Sequence, residues 1–165
     1  MTGVQTCALP ISAGCLEWPS APRNSPASSV TEQGPPVVDA RFNYILYASA
    51  VLTWLQQEPG AEQVDPVIEH SAIGAANWSE VLQKTWQHGR DADEVAALLL
   101  SLGLEVQPVT AEIAAEAARI WSLCSDLSLG DRLCLAAGRL HGSTVWTADR
   151  SWAGRSLGIL LKVVR

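Results

Sequence analysis

Three acidic side chains stand where an apolar extended run passes into a helical pattern. Glu80 follows Ala72-Ile73-Gly74, Asp131 follows Leu127-Ser128-Leu129-Gly130, and Asp149 follows Thr144-Val145-Trp146-Thr147-Ala148. Carboxylate oxygens are hard ligands of the kind Mg2+ takes in near-octahedral geometry. A cation gathered by such groups lowers the pKa of a bound water and offsets charge growing on phosphate oxygens, so the pattern points to metal-assisted hydrolysis of a phosphodiester. A plainer reading stands beside it: an acid in a helix's first turn stabilises that helix by about 0.3 to 1 kcal/mol. Asn77 with Glu80, and Ser128 with Asp131, also have the three-residue spacing of a capping box. Glu112, after Thr110-Ala111, has the same placement and no assigned chemistry. Placement alone leaves both readings open.

For the acids to converge, their strands must end on one rim. In an open parallel sheet the carboxyl ends of the strands and the first turns of the following helices share that rim, where ligands bind. From about residue 43 the chain alternates short apolar runs with amphipathic stretches, the pattern of an α/β fold with a mainly parallel sheet. Five strands are expected, over 43–47, 72–74, 104–108, 144–147 and 159–164. Helices are expected over 49–57, 60–69, 78–88, 91–102, 111–124 and 129–141. In the last of these, Leu133, Ala136, Ala137 and Leu140 fall on one core-facing stripe.

Residues 1–42 carry Pro10, Pro19, Pro22, Pro26, Pro35 and Pro36 in a Ser-rich, aperiodic context and read as a disordered tail. The opening, Met1 to Ser12, resembles a translated sequencing-library adapter, so part of this tail is expected to be artefactual. Cys7, Cys15, Cys124 and Cys134 lack the close pairing of a metal site, and with no membrane-length apolar run or basic leader the expected setting is cytoplasmic, with reduced thiols and no membrane association. Net charge is -6, which argues against broad backbone-driven nucleic-acid binding. The distribution is uneven: from Asp131 onward Arg132, Arg139, Arg150, Arg155, Lys162 and Arg165 outnumber Asp131 and Asp149. This third of the chain is suited to guide an RNA strand, or is simply solvated surface.

Four local words, in order, carry a resemblance. They are Tyr47-Ala48-Ser49-Ala50-Val51-Leu52, Asn77-Trp78-Ser79-Glu80-Val81-Leu82, Leu127-Ser128-Leu129-Gly130-Asp131-Arg132-Leu133-Cys134-Leu135-Ala136 and Trp146-Thr147-Ala148-Asp149-Arg150-Ser151-Trp152. Together they resemble the successive motifs of PIN-domain ribonucleases, particularly the VapC-like toxins of type II toxin-antitoxin systems. The resemblance covers residues 43–165. It implies a PIN-like (Rossmann-like) three-layer sandwich, and a Mg2+- or Mn2+-dependent endoribonuclease in which four acids hold the metal. By motif match Glu80, Asp131 and Asp149 take the second, third and fourth acid positions. It further implies an RNA substrate, a homodimer and a small cognate antitoxin.

The first acid position departs from the family. There an Asp stands two residues before the Ser that opens the first helix; here it is Tyr47, before Ser49. A phenol with a reference pKa near 10 is neutral at pH 7 and a poor Mg2+ ligand. Asp39 is a substitute only in a register that buries the Ala-Ser-Ala-Val-Leu match inside a helix. The expectation is therefore a retained fold with a weakened metal site and reduced or lost cleavage, the alternative being a catalytically impaired module that sequesters antitoxin or RNA. Ser49, Asn77 and Thr147 are supporting candidates, each with helix capping as the rival role. Arg132 and Arg150 are candidate RNA contacts, with surface ion pairing as theirs. Trp152, close after the fourth acid, is expected to border the substrate groove.

Overall fold

Buried apolar side chains at successive positions of the two strand segments around Ile45-Leu46 and Ala72-Ile73 require cover on both faces, the condition that selects a buried parallel sheet. The computed structural model describes residues 42–154 and 158–165. In it β1 (Tyr44–Leu46), β2 (Ser71–Gly74), β3 (Glu105–Gln107), β4 (Thr144–Thr147) and β5 (Leu161–Val163) form one sheet in the order β3-β2-β1-β4-β5. Every pairing is parallel, with Tyr44 opposite both Ser71 and Thr144. The helices are α1 (Ala48–Leu55), α2 (Ala61–Val64), α3 (Ala75–Gln87), α4 (Ala92–Ser101), α5 (Ala111–Leu123) and α6 (Leu129–His141). Short 3-10 helices cover Asp65–His70 and Arg150–Trp152.

Strand alternation divides the core in two. Ile45, Ala72 and Val145 face Ile113, Ala117 and Ile120 of α5 and Leu135 to Ala137 of α6. Leu46 and Ile73 face Val51, Val81 and Leu99 from α1, α3 and α4. The result is the expected three-layer α/β sandwich, and each buried Ile, Leu or Val contributes about 1.5 to 3 kcal/mol. The stripe expected on α6 is present and wider: Cys134, Leu135 and Gly138 are buried as well. At Gly138 an added Cβ would lie 2.2 Å from Val145 Cγ2, so α6 sits on β4 at a distance only glycine permits.

Two element boundaries moved. The third helix starts at Ala75, not Trp78, because extended Gly74 caps it and Ala75-Ala76 are strong helix formers that continue inward from that cap. The helix expected over 60–69 is split at Pro66, whose missing N–H ends α2 and leaves a 3-10 turn. The proposed tail lies outside the described residues except for Phe42, which is buried edge-on to His141 with ring centroids 4.9 Å apart. Asp39 is likewise outside them.

Candidate active site

β1 and β4 are neighbours from which the strand order runs in opposite directions, to β2 and β3 on one side and to β5 on the other, which makes the gap between their carboxyl ends the topological switch point of the sheet. Tyr47 leaves β1 there. Its amide donates to Trp146 O at 2.8 Å, and its extended backbone is the N-cap of α1, with no side-chain cap bond. Ser49 therefore lies inside α1 and does not cap it. Its Oγ accepts from Ala148 N (2.9 Å) and lies 3.2 Å from Thr147 Oγ1. Thr147 Oγ1 in turn accepts from Asp149 N at 3.0 Å, and Asp149 Oδ1 accepts from Ser151 N at 2.8 Å. These hydroxyls hold the end of β4 against the start of α1 and fix the backbone that carries Asp149.

A second group forms around Asp131. Its carboxylate accepts from Ser128 N at 2.8 Å while Ser128 Oγ accepts from Asp131 N at 3.2 Å, so the capping box anticipated for this pair is complete. The box does not remove Asp131 from the rim. Its charge acts on the Tyr47 phenol. Burial, then Asp131, then the charge of Glu80 push the phenol far above its ordinary pKa, so it stays neutral. Its ring lies against Trp152, with centroids 4.8 Å apart at 47°. Trp152 is 1% exposed, so it does not border an open groove as expected; burial against Tyr47 takes its indole into the core.

Glu80 corrects another expectation. With α3 beginning at Ala75, this residue lies in the second turn, beyond the first-turn N–H groups that would favour its charge. Its pKa is raised, first by burial and then by Asp131, with Lys84 acting in the opposite sense. The capping role expected for Asn77 is overturned by the same shift of the helix start. Asn77 is buried at 1% exposure, donates from Nδ2 to Gly130 O at 3.4 Å, and has its Oδ1 without a hydrogen-bond partner. It ties α3 to the turn that presents Asp131.

Two neighbours were not anticipated. Cys134, one turn beyond Asp131, is fully buried, and burial followed by Asp131 and Glu80 raises its thiol pKa. Lys84 is one turn beyond Glu80 on α3. The i, i+3 and i, i+4 spacings in the sequence are the signal for both. Of the expected RNA contacts, Arg132 Nε donates to Ser128 O (3.3 Å) and Arg150 Nε to Arg165 O (3.0 Å). A separate cleft is lined by Trp54, Gln57, Glu58, Pro59, Ala61, Glu62 and Asp65. Asp65 there accepts from Trp54 Nε1 at 2.8 Å, and Glu58 pairs with Arg165.

The candidate residues thus fall into two adjoining groups, Tyr47 with Asp131 and Glu80, and Ser49 with Thr147 and Asp149. Among the described residues no group of three or more His, Cys, Asp and Glu side chains is disposed to hold one metal ion. With a neutral phenol at Tyr47 in place of a fourth acid, the side chains present do not fit a resident divalent ion.

A family model for the PIN domain matches residues 44–155, from β1 through the turn after β4. The chain belongs to the PIN domain family. PIN domains are typically nucleases, generally dependent on divalent metal. The fold is similar to that of a toxin-antitoxin complex from Klebsiella pneumoniae, with 17% identity over 74% of this chain and 98% of that one, at a TM-score of 0.61. It is similar to DNA-bound VapBC from Salmonella typhimurium, with 14% identity over 75% and 99% and a TM-score of 0.61. FitAcB from Neisseria gonorrhoeae shares 18% identity over 72% and 95%, with a TM-score of 0.57. At these identities the likeness is one of fold. No curated protein matches the chain. Among the described residues no helix is long and apolar enough to cross a membrane.

Proposed function

We propose that this PIN domain is the toxin-type member of a toxin-antitoxin pair, built as a Mg2+- or Mn2+-dependent endoribonuclease but with phosphodiester cleavage weakened to the point of loss. The observation that carries the reading is Tyr47 at the carboxyl end of β1, a neutral phenol where the resemblance calls for a carboxylate. What persists is binding: of RNA along the rim, with Arg132 and Arg150 near the two groups of acids, and of a cognate antitoxin. The antitoxin assignment is supported by the toxin-antitoxin complexes among the structural neighbours. Exposed Trp121 and Leu123 on α5 and Leu129 on α6 supply apolar surface for the homodimer that the resemblance implies. A cytoplasmic setting goes with this reading.

A second reading, residual metal-dependent cleavage, is favoured by the Asp131 and Glu80 carboxylates, which lie close enough for one to raise the other's pKa. Mg2+ is commonly held by one or two carboxylates together with waters and substrate phosphate. An RNA cleavage assay in excess Mg2+ separates the two. The unaltered chain is expected at background, and Tyr47→Asp is expected to raise both Mg2+ affinity and rate by about tenfold or more, the equivalent of about 1.4 kcal/mol. Rapid cleavage by the unaltered chain would establish the second reading. No gain in Tyr47→Asp would remove Tyr47 from the first acid position. Failure to bind the product of an adjacent short antitoxin reading frame would overturn the toxin assignment.

A further inference from the structure

Asp149 is exposed, on a turn that must be held from outside if its carboxylate is to keep its place at the rim. Ser49 Oγ holds one side of that turn through Ala148 N. The other side is held by Val164 and Arg165, whose bonds fall before and after Asp149. Val164 N donates to Thr147 O at 2.9 Å, Arg165 Nε to Ala148 O at 3.4 Å, and Arg165 O accepts from Arg150 Nε at 3.0 Å. The same guanidinium pairs through Nη1 with Glu58, in the turn between α1 and α2 that lines the cleft beside Trp54. We infer that Arg165 is a positioning residue for Asp149: its guanidinium clasps the Asp149 turn to Glu58, so that the wall of the cleft and the fourth acid position form one mechanical unit. The inference rests on the proposed function for the role of Asp149 and extends it to what sets Asp149 in place.

Both sides of the clasp are anchored independently of it. Glu58 Oε2, the oxygen that Arg165 engages, also accepts from Thr53 Oγ1 at 3.3 Å, and Thr53 is buried within α1. Val164 is buried, and its carbonyl accepts from Gln63 Nε2 at 2.9 Å. An added Cβ at Gly60, where φ is 102°, would lie 2.1 Å from that carbonyl oxygen, so the turn before α2 approaches Val164 at a distance only glycine permits. Arg165 therefore starts from a fixed backbone, and little entropy is lost when its side chain engages. Its planar fork presents separate N–H groups to the Glu58 carboxylate and to Ala148 O, a rigid two-acceptor geometry that a lysine ammonium does not supply. Side-chain exposures of 41% for Arg165 and 38% for Glu58 make the pair a weak source of global stability. Its effect is local, on the turn it reaches, and is screened by salt.

The test is amide hydrogen exchange of the full chain followed by NMR, for the unaltered protein, Arg165→Met, Glu58→Ala and the double variant. Exchange at Ala148, Asp149 and Ser151 should quicken by about fivefold or more in each single variant, while the amides from Ile113 to Ile120 of α5 stay as in the parent. The double variant should exchange no faster at the turn than Arg165→Met, because Glu58 acts there through Arg165. As a comparison that needs no substitution, about 1 M NaCl, where the screening length is about 3 Å, should quicken the same three amides of the unaltered chain and leave those of α5 unmoved. Unchanged exchange at Asp149 and Ser151 in Arg165→Met, equal acceleration in α5, or further acceleration on adding Glu58→Ala to Arg165→Met overturns the inference. The salt comparison decides it where a variant does not fold. Neither metal, RNA nor antitoxin enters the measurement, so failure to bind an antitoxin would overturn the proposed function and leave this result standing.

Discussion

At the residue scale the site is a set of side chains whose ordinary structural duties and rim positions coincide. Asp131 is the N3 residue of a capping box, and its charge still raises the pKa values of Tyr47 and Glu80, so capping does not take it away from the other rim residues. Ser49 is the smallest change that tests the neighbouring group. Ser49→Ala leaves Ala148 N without its acceptor and Thr147 Oγ1 with Asp149 N as its remaining partner, and is expected to cost about 1 to 3 kcal/mol by urea denaturation. Glu80 should behave in the opposite way. Its folded pKa is raised, so the folded state binds its proton more readily than the unfolded chain. Stability therefore falls as pH rises from the ordinary carboxylate range through the raised value. Glu80→Gln is expected to stabilise the chain at pH 7, with the gain vanishing in acid where Glu80 is protonated in both states. Unfolding curves at pH 4 and pH 7 measure the difference.

At the scale of elements, α6 carries Asp131, and its position is set by contacts far from the rim. Arg139 of α6 meets buried Glu116 of α5 at 2.7 Å, and Arg119 meets the other oxygen at 3.0 Å. Burial raises the Glu116 pKa, but the two arginines outweigh it and the net shift is downward. Its stabilising contribution is therefore present above the ordinary carboxylate pKa and lost as pH falls through the lowered folded value. Glu116→Gln should cost about 2 to 4 kcal/mol at pH 7 and markedly less near pH 3, by denaturant titration. Gly138→Ala would drive a methyl into Val145 and should cost about 1 to 3 kcal/mol by the same measurement. The element boundaries legible in the sequence were those with a strong local cause. Ser128 at one end and Gly142, at φ 65°, at the other delimit α6 as expected. The start of α3 was not legible, because Asn77-x-x-Glu80 is a credible cap in isolation and loses only to the better helix formers before it.

At the scale of the whole molecule, the strand order puts β1 beside β4 and brings residues about a hundred positions apart into contact, as in the Ser49–Thr147 pair. The exposed apolar surface at the end of α5 and the start of α6 is the place to test assembly. A dimer formed through this end of the molecule would be broken by Trp121→Glu, with sedimentation giving a monomer of unchanged melting temperature.

The sequence by itself determined the layers, because hydrophobic periodicity and turn chemistry are local and each run declares which face it must bury. It also determined that Tyr47 stands out of pattern, since residue type at a motif position requires no coordinates. Only the tertiary structure decided the company each acid keeps: Asp131 and Glu80 with the phenol, Asp149 with Ser49 and Thr147, and no three ligating side chains among the described residues placed for one ion. That grouping depends on helix starts and close approaches that shift by a few ångströms, such as Ala75 opening α3 and Gly138 admitting β4. Such shifts are settled by long-range packing, which a linear pattern does not encode.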